Sequence, residues 1–470
     1  MVGPMKQPRY FTALSVLLAT AGVAASAFVG APQRTPMTAF VGVHVLPMDS
    51  ERVLRDQTVV VREGRIVAVG PVPSTPVPDG AQRIEARGQY LMPGLADMHG
   101  HLPLFEGRDG DAAHIQMRLY VANGVTTVRG MQGHPAHIPL RDRIARGELA
   151  GPTIVAGSPP VHGKNAPDAA AAAALVAEHQ KAGFDLLKVW EGLSPEAYAG
   201  LMDAARSAGL PVAGHVTATV GLDRALSARQ ASIEHLDGYL QALVRKDSPV
   251  PPTGSQVVLG PVLQHIDESR MKELAVRTRE AGVYNTPTLE LFKIVVSQEP
   301  PETFLAWPEM RYISPALRAQ FAKQKAGTQG IPAPVEERRR YVELRNRMTK
   351  ALADAGAGLL IGPDSPQMFL VPGFATHREI RSFVEAGLSP YQALVAATRS
   401  PAEHLRQGEQ FGTVAVGRRA DLLLLHGNPL ADIGQLEKRA GLMLRGRWFD
   451  ASHLRGMLED VAALHEDAGK

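Results

Sequence analysis

The stretch Met92-Pro93-Gly94-Leu95-Ala96-Asp97-Met98-His99-Gly100-His101 ends an apolar run with two histidines spaced two apart. In a strand, residues two apart share a face, so His99 and His101 can both point into one mouth and share a metal ion. The pair alone says little, because 16 histidines in 470 residues yield about 0.5 such pairs by chance. Its setting says more. Short apolar strands alternate with helical stretches such as Ala169–Ala182 and Pro195–Ala208. Candidate strands end near His101, Arg129, Gly157, Val189, His215, His235, Thr286 and Ile361. Eight strands alternating with helices over about 310 residues predict an α/β fold, a (β/α)8 barrel spanning 93–405. The alternative, an open doubly wound sheet, has no glycine-rich phosphate fingerprint to support it.

Several of these strand ends carry metal-competent side chains. Lys188 closes Phe184-Asp185-Leu186-Leu187, a place where burial penalises an ammonium. His215 follows Leu210-Pro211-Val212-Ala213-Gly214, and His235 follows Ala231-Ser232-Ile233-Glu234. Asp364 follows Leu359-Leu360-Ile361-Gly362-Pro363. Any one of these is more often structural than a ligand. Together with the first pair they occupy five of the eight strand ends, which is where barrel enzymes place their sites.

Composition narrows the chemistry. There is no cysteine, so thiolate zinc sites, iron–sulfur clusters, disulfides and cysteine nucleophiles are excluded, and any metal site uses nitrogen and oxygen. The 50 basic and 47 acidic residues leave a net charge of +3. That is too weak to argue for nucleic acid, and no basic stripe is interleaved with aromatics.

The chain ends read differently from the middle. Gln57–Arg62 and Arg65–Val69 flank Glu63-Gly64 in a hairpin pattern. Gly412–Gly417, Asp421–Leu425 and Leu442–Phe449 also read as strands. Neither group can bury a core alone. We therefore expect one small β-sandwich-like domain built from 36–92 together with 406–450, and a helical tail over 451–470. Two long connections, roughly 240–280 and 290–345, contain proline-rich pieces and are lid candidates. Residues 1–31 have the layout of a secretory signal peptide: Lys6 and Arg9, then an uncharged stretch from Phe11, then Ala25-Ser26-Ala27 as a cleavage site. Export to a periplasm or medium follows, an uncleaved membrane anchor being the alternative.

With these residues in view, the sequence resembles the amidohydrolase superfamily, in particular its prolidase-like and imidazolonepropionase-like metal-dependent hydrolases. The matching residues are His99-Gly100-His101 after Pro93-Gly94, then Lys188, His215, His235 and Asp364 in family order. Flanking stretches also look familial: Gly124-Val125-Thr126-Thr127-Val128-Arg129, Gly387-Leu388-Ser389-Pro390, Gly412-Thr413-Val414 with Gly417, and Ala420-Asp421-Leu422. The resemblance spans roughly 36–450. It implies two divalent ions bridged by a carboxylated Lys188, with His99, His101 and Asp364 on one ion and His215 and His235 on the other. It further implies a metal-bridged hydroxide as the nucleophile, with Asp364 moving its proton to the leaving amine. Zinc is the first expectation, and manganese or cobalt also fit nitrogen and oxygen ligands.

One departure is that Arg129-Gly130 stands where relatives usually show arginine and aspartate. Arg129 or His162 is a candidate for binding a substrate carboxylate, and Tyr239 for donating to an oxyanion. The implied reaction is cleavage of an amide or peptide bond in a small molecule, such as an Xaa-Pro dipeptide, an N-acyl amino acid or a related aromatic amide. Two alternatives stand beside it. One is a mononuclear cyclic-amide hydrolase or deaminase, against which Lys188 argues. The other is a non-catalytic periplasmic binding protein, against which the intact ligand set argues. Family members often self-associate, so a homo-oligomer is a further expectation.

Overall fold

The computed structural model describes residues 37–103, 112–250 and 259–467. The segment read as a signal peptide lies outside them.

The two ends of the chain meet in one sheet. Its order is Arg447–Asp450, Arg439–Leu444, Leu422–Leu425, Tyr90–Pro93, Thr38–Val45, Leu54–Arg62 and Arg65–Pro71, with Gln82–Glu85 also pairing Thr38–Val45. The seam is antiparallel, with Leu422 opposite Pro93 and Leu425 opposite Tyr90. Phe40, Val43, Val59, Leu91, Leu422 and Met443 fill a small core there. The strands hydrogen-bond as a single eight-stranded sheet, and Phe40 of Thr38–Val45 meets Trp448 of Arg447–Asp450 ring to ring at 5.3 Å although three strands lie between them in that order. The hairpin turn at Glu63-Gly64 has φ of 51° and 75°, the doubly left-handed geometry of a tight two-residue turn.

Two local readings need correction. Gly412–Gly417 forms turns and not a strand. Leu442–Phe449 is not one strand, because Arg445 and Gly446, both at positive φ, fold it into a hairpin between Arg439–Leu444 and Arg447–Asp450.

The middle of the chain forms two parallel sheets. One holds Leu95–Gly100, Val125–Gly130 and Thr153–Ala156; the other holds Leu187–Val189, Val212–Gly214, Ser232–Glu234 and Tyr284–Thr286. Leu95–Gly100 and Val125–Gly130 are buried at every residue, as expected of parallel strands covered on both faces. Isolated parallel bridges extend this pattern: Gly157 to Leu186, Asn285 to Leu359, and Gly100 to Ser365. The run around Leu359–Ile361 makes bridges and no longer strand. Gly362-Pro363 follows it, and proline has no N–H to continue a ladder.

Helices start and stop on ordinary signals. Asp168 caps Ala169–Ala182, which ends at left-handed Gly183. Ser194 caps Pro195–Ala208, which ends at Gly209. The second long connection is mostly helical, and its first helix, Leu289–Val296, is held at both ends by buried charge. Glu379 accepts from the backbone N–H groups of Leu289 and Glu290 at 2.8 Å each. Lys325 donates to the carbonyls of Ile294 and Ser297, and Arg338 to that of Val296. These charges sit where a helix dipole favours them.

Burial pushes the Glu379 carboxyl up to about 7 despite those two hydrogen bonds. Its native state therefore binds more protons than the unfolded chain between the ordinary carboxylate range and about 7. The contribution of this group to stability falls as pH rises across that window. Glu379→Gln is expected to flatten this part of the stability–pH curve, measured as the difference in urea midpoint between the two chains.

Candidate metal centre

The parallel strands bring the six ligand candidates together. His99 lies in Leu95–Gly100 and Lys188 in Leu187–Val189. His215 and His235 each follow the last residue of a strand. Backbone bonds tie these segments to their neighbours: Asp364 N–H to His99 O at 2.9 Å, His215 N–H to Val189 O at 3.1 Å, and His235 N–H to Thr286 O at 2.8 Å. His235 and Asp364 have φ of 63° and 66°, conformations that cost a non-glycine residue about 1–2 kcal/mol. Such strain persists where the surroundings over-determine it, which fits a site.

Asp364 is the hub. Its Oδ1 lies 3.0 Å from His101 Nε2 and 3.4 Å from His99 Nε2, and its Oδ2 lies 3.8 Å from His235 Nε2. His99, His235 and Asp364 have ligand atoms close enough to hold one ion. The His215 and His235 rings stack at 4.8 Å. Lys188 is 4% exposed, and its Nζ has no hydrogen-bond partner among the described residues. A buried donor left unpaired is costly.

In three of the four histidines the far ring nitrogen is engaged. His99 Nδ1 meets Glu234 Oε2 at 2.8 Å, and His215 Nδ1 meets Asp237 Oδ2 at 2.8 Å. His235 Nδ1 meets Thr288 Oγ1 at 2.7 Å, while that hydroxyl donates to Pro287 O. A carboxylate only accepts, and the Thr288 hydrogen is committed. His99 and His235 therefore carry their protons on Nδ1 and present Nε2 as a lone pair. Burial, with the Lys188 charge nearby, holds His101 and His215 down to about 3. Burial also lowers the Lys188 amine, against the pull of Glu234 and Asp364, and raises Asp364 to about 8. Imidazoles kept neutral by burial, a buried amine and a carboxyl starved of solvent form a donor set that fits divalent cations.

Glu234, Asp237 and Thr288 were not singled out from the sequence. Glu234 and Asp237 flank His235 at one and two residues' distance, so an acid near a ligand histidine was the available signal. Thr288 had none. Glu234 also receives Arg129 at 2.9 Å. Burial opposes its ionisation, but Arg129, Lys188 and Ser232 together hold it below the ordinary range. Glu234→Gln is expected to weaken metal affinity about 10–100-fold, measured by competition with a chromogenic chelator.

The three substrate candidates fare differently. Arg129 is fully buried, donating to Met98 O, Ser232 Oγ, Glu234 and Thr286 Oγ1. It is a brace beneath the ligands and does not reach the mouth. Tyr239 is also fully buried, with its hydroxyl 2.9 Å from Thr278 Oγ1, so it cannot meet an oxyanion there. His162 sits on the rim, its Nδ1 accepting from Lys164 N–H and its ring 6.3 Å from Trp190.

The pocket over the centre has a volume of about 310 Å³. Met131, Trp190, Leu291, Phe292, Val295 and Met368 supply apolar wall, and Gln132 and Gln367 supply amides. The lid expectation for the second long connection thus has a structural counterpart in Leu289–Val296. Behind Phe292, Arg345 stacks on the ring at 3.9 Å and donates to His235 O and Pro287 O.

A sequence profile described as the amidohydrolase family matches residues 90–449. The chain belongs to the amidohydrolase family. Its fold is similar to that of a prolidase candidate from Bifidobacterium longum, with 24% identity and a TM-score of 0.67, covering 91% of this chain and 99% of that one. It is similar also to a bottromycin amidohydrolase, with 23% identity and a TM-score of 0.69, covering 91% and 90%. An imidazolonepropionase of Saccharopolyspora erythraea is 33% identical over 107 residues, 22% of this chain. The match spans only 27% of that relative's length.

Proposed function

We propose that this amidohydrolase cleaves the amide or peptide bond of a small molecule bearing a hydrophobic group, with two divalent ions at the centre. The observation that carries the reading is the unpaired, buried Lys188 amine set among four histidines and Asp364, beneath an apolar wall. By this reading the two parallel sheets and the Leu359–Pro363 run close as a (β/α)8 barrel, the isolated bridges being its supporting contacts.

His99, His101 and Asp364 would hold one ion, His215 and His235 the other, and Lys188, carboxylated, would bridge them. Burial lowers the pKa of the Lys188 amine, which favours the unprotonated form that adds to carbon dioxide; the new N–C bond forms with loss of one N–H proton, and the resulting carboxylate would offer two oxygens to the ions. When bound, the ions supply Lewis acidity and lower the pKa of water. The residues do the rest. Glu234, Asp237 and Thr288 fix the histidine rings. Asp364 Oδ accepts a proton from the attacking water and returns it to the leaving nitrogen. Trp190, Leu291 and Phe292 exclude solvent and receive the substrate's apolar part.

Dipeptides such as Xaa-Pro, N-acyl amino acids and related aromatic amides fit that wall. Fold neighbours named as a Xaa-Pro dipeptidase and an ochratoxinase accord with this class. A one-ion cyclic-amide hydrolase or deaminase is the second reading, favoured by local matches to an imidazolonepropionase and an adenine deaminase. The test is a hydrolysis screen across these amides with metal content measured in parallel. About two ions per chain with linear-amide turnover supports the proposal; one ion with ring opening or ammonia release supports the second. Dialysis against a chelator is expected to abolish turnover and lower the melting temperature, both restored by zinc, manganese or cobalt.

A further inference from the structure

We infer that the chain carries an anion-binding site at the edge of the parallel sheets remote from the metal centre. The metal pocket gathers residues from the C-terminal ends of the strands. At the other edge, where Thr153–Ala156 and Val212–Gly214 begin, lies a cavity of about 950 Å³.

Its charge is one-sided. Arg129, Arg141, Arg206, Arg229 and Arg406 line it against a single carboxylate, Asp185. Three of the five are engaged: Arg129 with Glu234, Arg141 with Asp185 at 3.0 Å, and Arg206 with Asp203 at 3.0 Å. Arg229 and Arg406 are exposed and make no ion pair among the described residues.

Their backbones add a second observation. Arg229 and Arg406 have φ of 55° and 57°. Each stands one residue beyond the cap of a helix, Gly221–Ser227 and Arg399–His404 respectively. At the same place, one residue beyond the caps of His137–Ala145 and Phe374–Glu385, stand left-handed glycines, Gly147 and Gly387, and the caps of four further described helices are glycines in that conformation, Gly183, Gly209, Gly282 and Gly356. Glycine takes that conformation freely, whereas arginine does so at a cost. A helix dipole favours a cation near a C-terminus, but it does not place two strained arginines on one cavity. Two arginines without an ion pair among the described residues, both on the wall of one cavity, suit a small dianion of phosphate or dicarboxylate type. The cavity is separate from the metal pocket, so this ligand is not the substrate.

Crystals of the metal-loaded full chain soaked in selenate test the location. An anomalous peak against Arg229 or Arg406 is expected, absent from the Arg229→Gly/Arg406→Gly double variant. That variant relieves the left-handed strain, so it is expected to melt no lower than the parent and to keep its basal turnover. In solution, phenylglyoxal labelling of both arginines is read by peptide mass spectrometry. Selenate or succinate is expected to slow it about tenfold relative to exposed Arg87. Selenate seated only at lattice contacts, or labelling of Arg229 and Arg406 slowed no more than that of Arg87, would overturn the inference.

Discussion

Lys188→Ala is expected to lower kcat/KM about 10²–10³-fold, the loss typical of removing one preorganised electrostatic group. Bound metal should fall below the parent's content in the same preparation. The reason is positional. Lys188 is buried among the histidines and Asp364, and its Nζ has no hydrogen-bond partner among the described residues. In the metal-free chain the same change is expected to raise the melting temperature slightly, because it removes an unpaired buried donor. A mere packing role would give the opposite sign. Parental turnover at parental metal content in Lys188→Ala would refute the two-ion reading.

Asp364→Asn should cost about 10²–10⁴-fold in kcat, the usual range for losing a positioned general acid–base. KM should move much less, because the apolar wall that holds substrate is untouched. The amide keeps the shape of the carboxylate but cannot take up the proton. Asp364 also lies within 3.0–3.8 Å of three histidine Nε2 atoms, so assays belong at saturating metal with content measured. A larger change in KM than in kcat would assign Asp364 to binding and not to proton transfer.

That the six candidate ligands come together was readable because strands turn linear spacing into geometry. A histidine closing an apolar run ends up at a sheet edge, and several such edges meet. The hairpin at Glu63-Gly64 and the capped helices were readable for a similar reason, since each is decided by neighbours in sequence. For Arg129 and Tyr239, a place at or just past a strand end says nothing about side-chain direction. Arg129 turns inward to Glu234, 105 residues away, and Tyr239 to Thr278, 39 away. The second layer around the histidines was invisible on the same grounds, Thr288 lying 53 residues from His235. Gly412–Gly417 failed as a strand because its alternation of small and apolar residues finds no ladder partner.

The brace beneath the ligands has a consequence for how the enzyme is made. Arg129 bonds Glu234, which holds His99, and Arg129 also meets His404 Nε2 at 3.0 Å. The earliest ligand thus leans on a residue near the C-terminal end. The strand Leu422–Leu425 then pairs with Tyr90–Pro93, directly before the first ligand strand. During synthesis, the first ligands emerge hundreds of residues before their supports, and contacts of such separation form slowly. On the proposed two-ion reading, the nascent chain would hold a partial chelating set until its last strands arrive, so metal loading would belong to the completed polypeptide and not to the growing one.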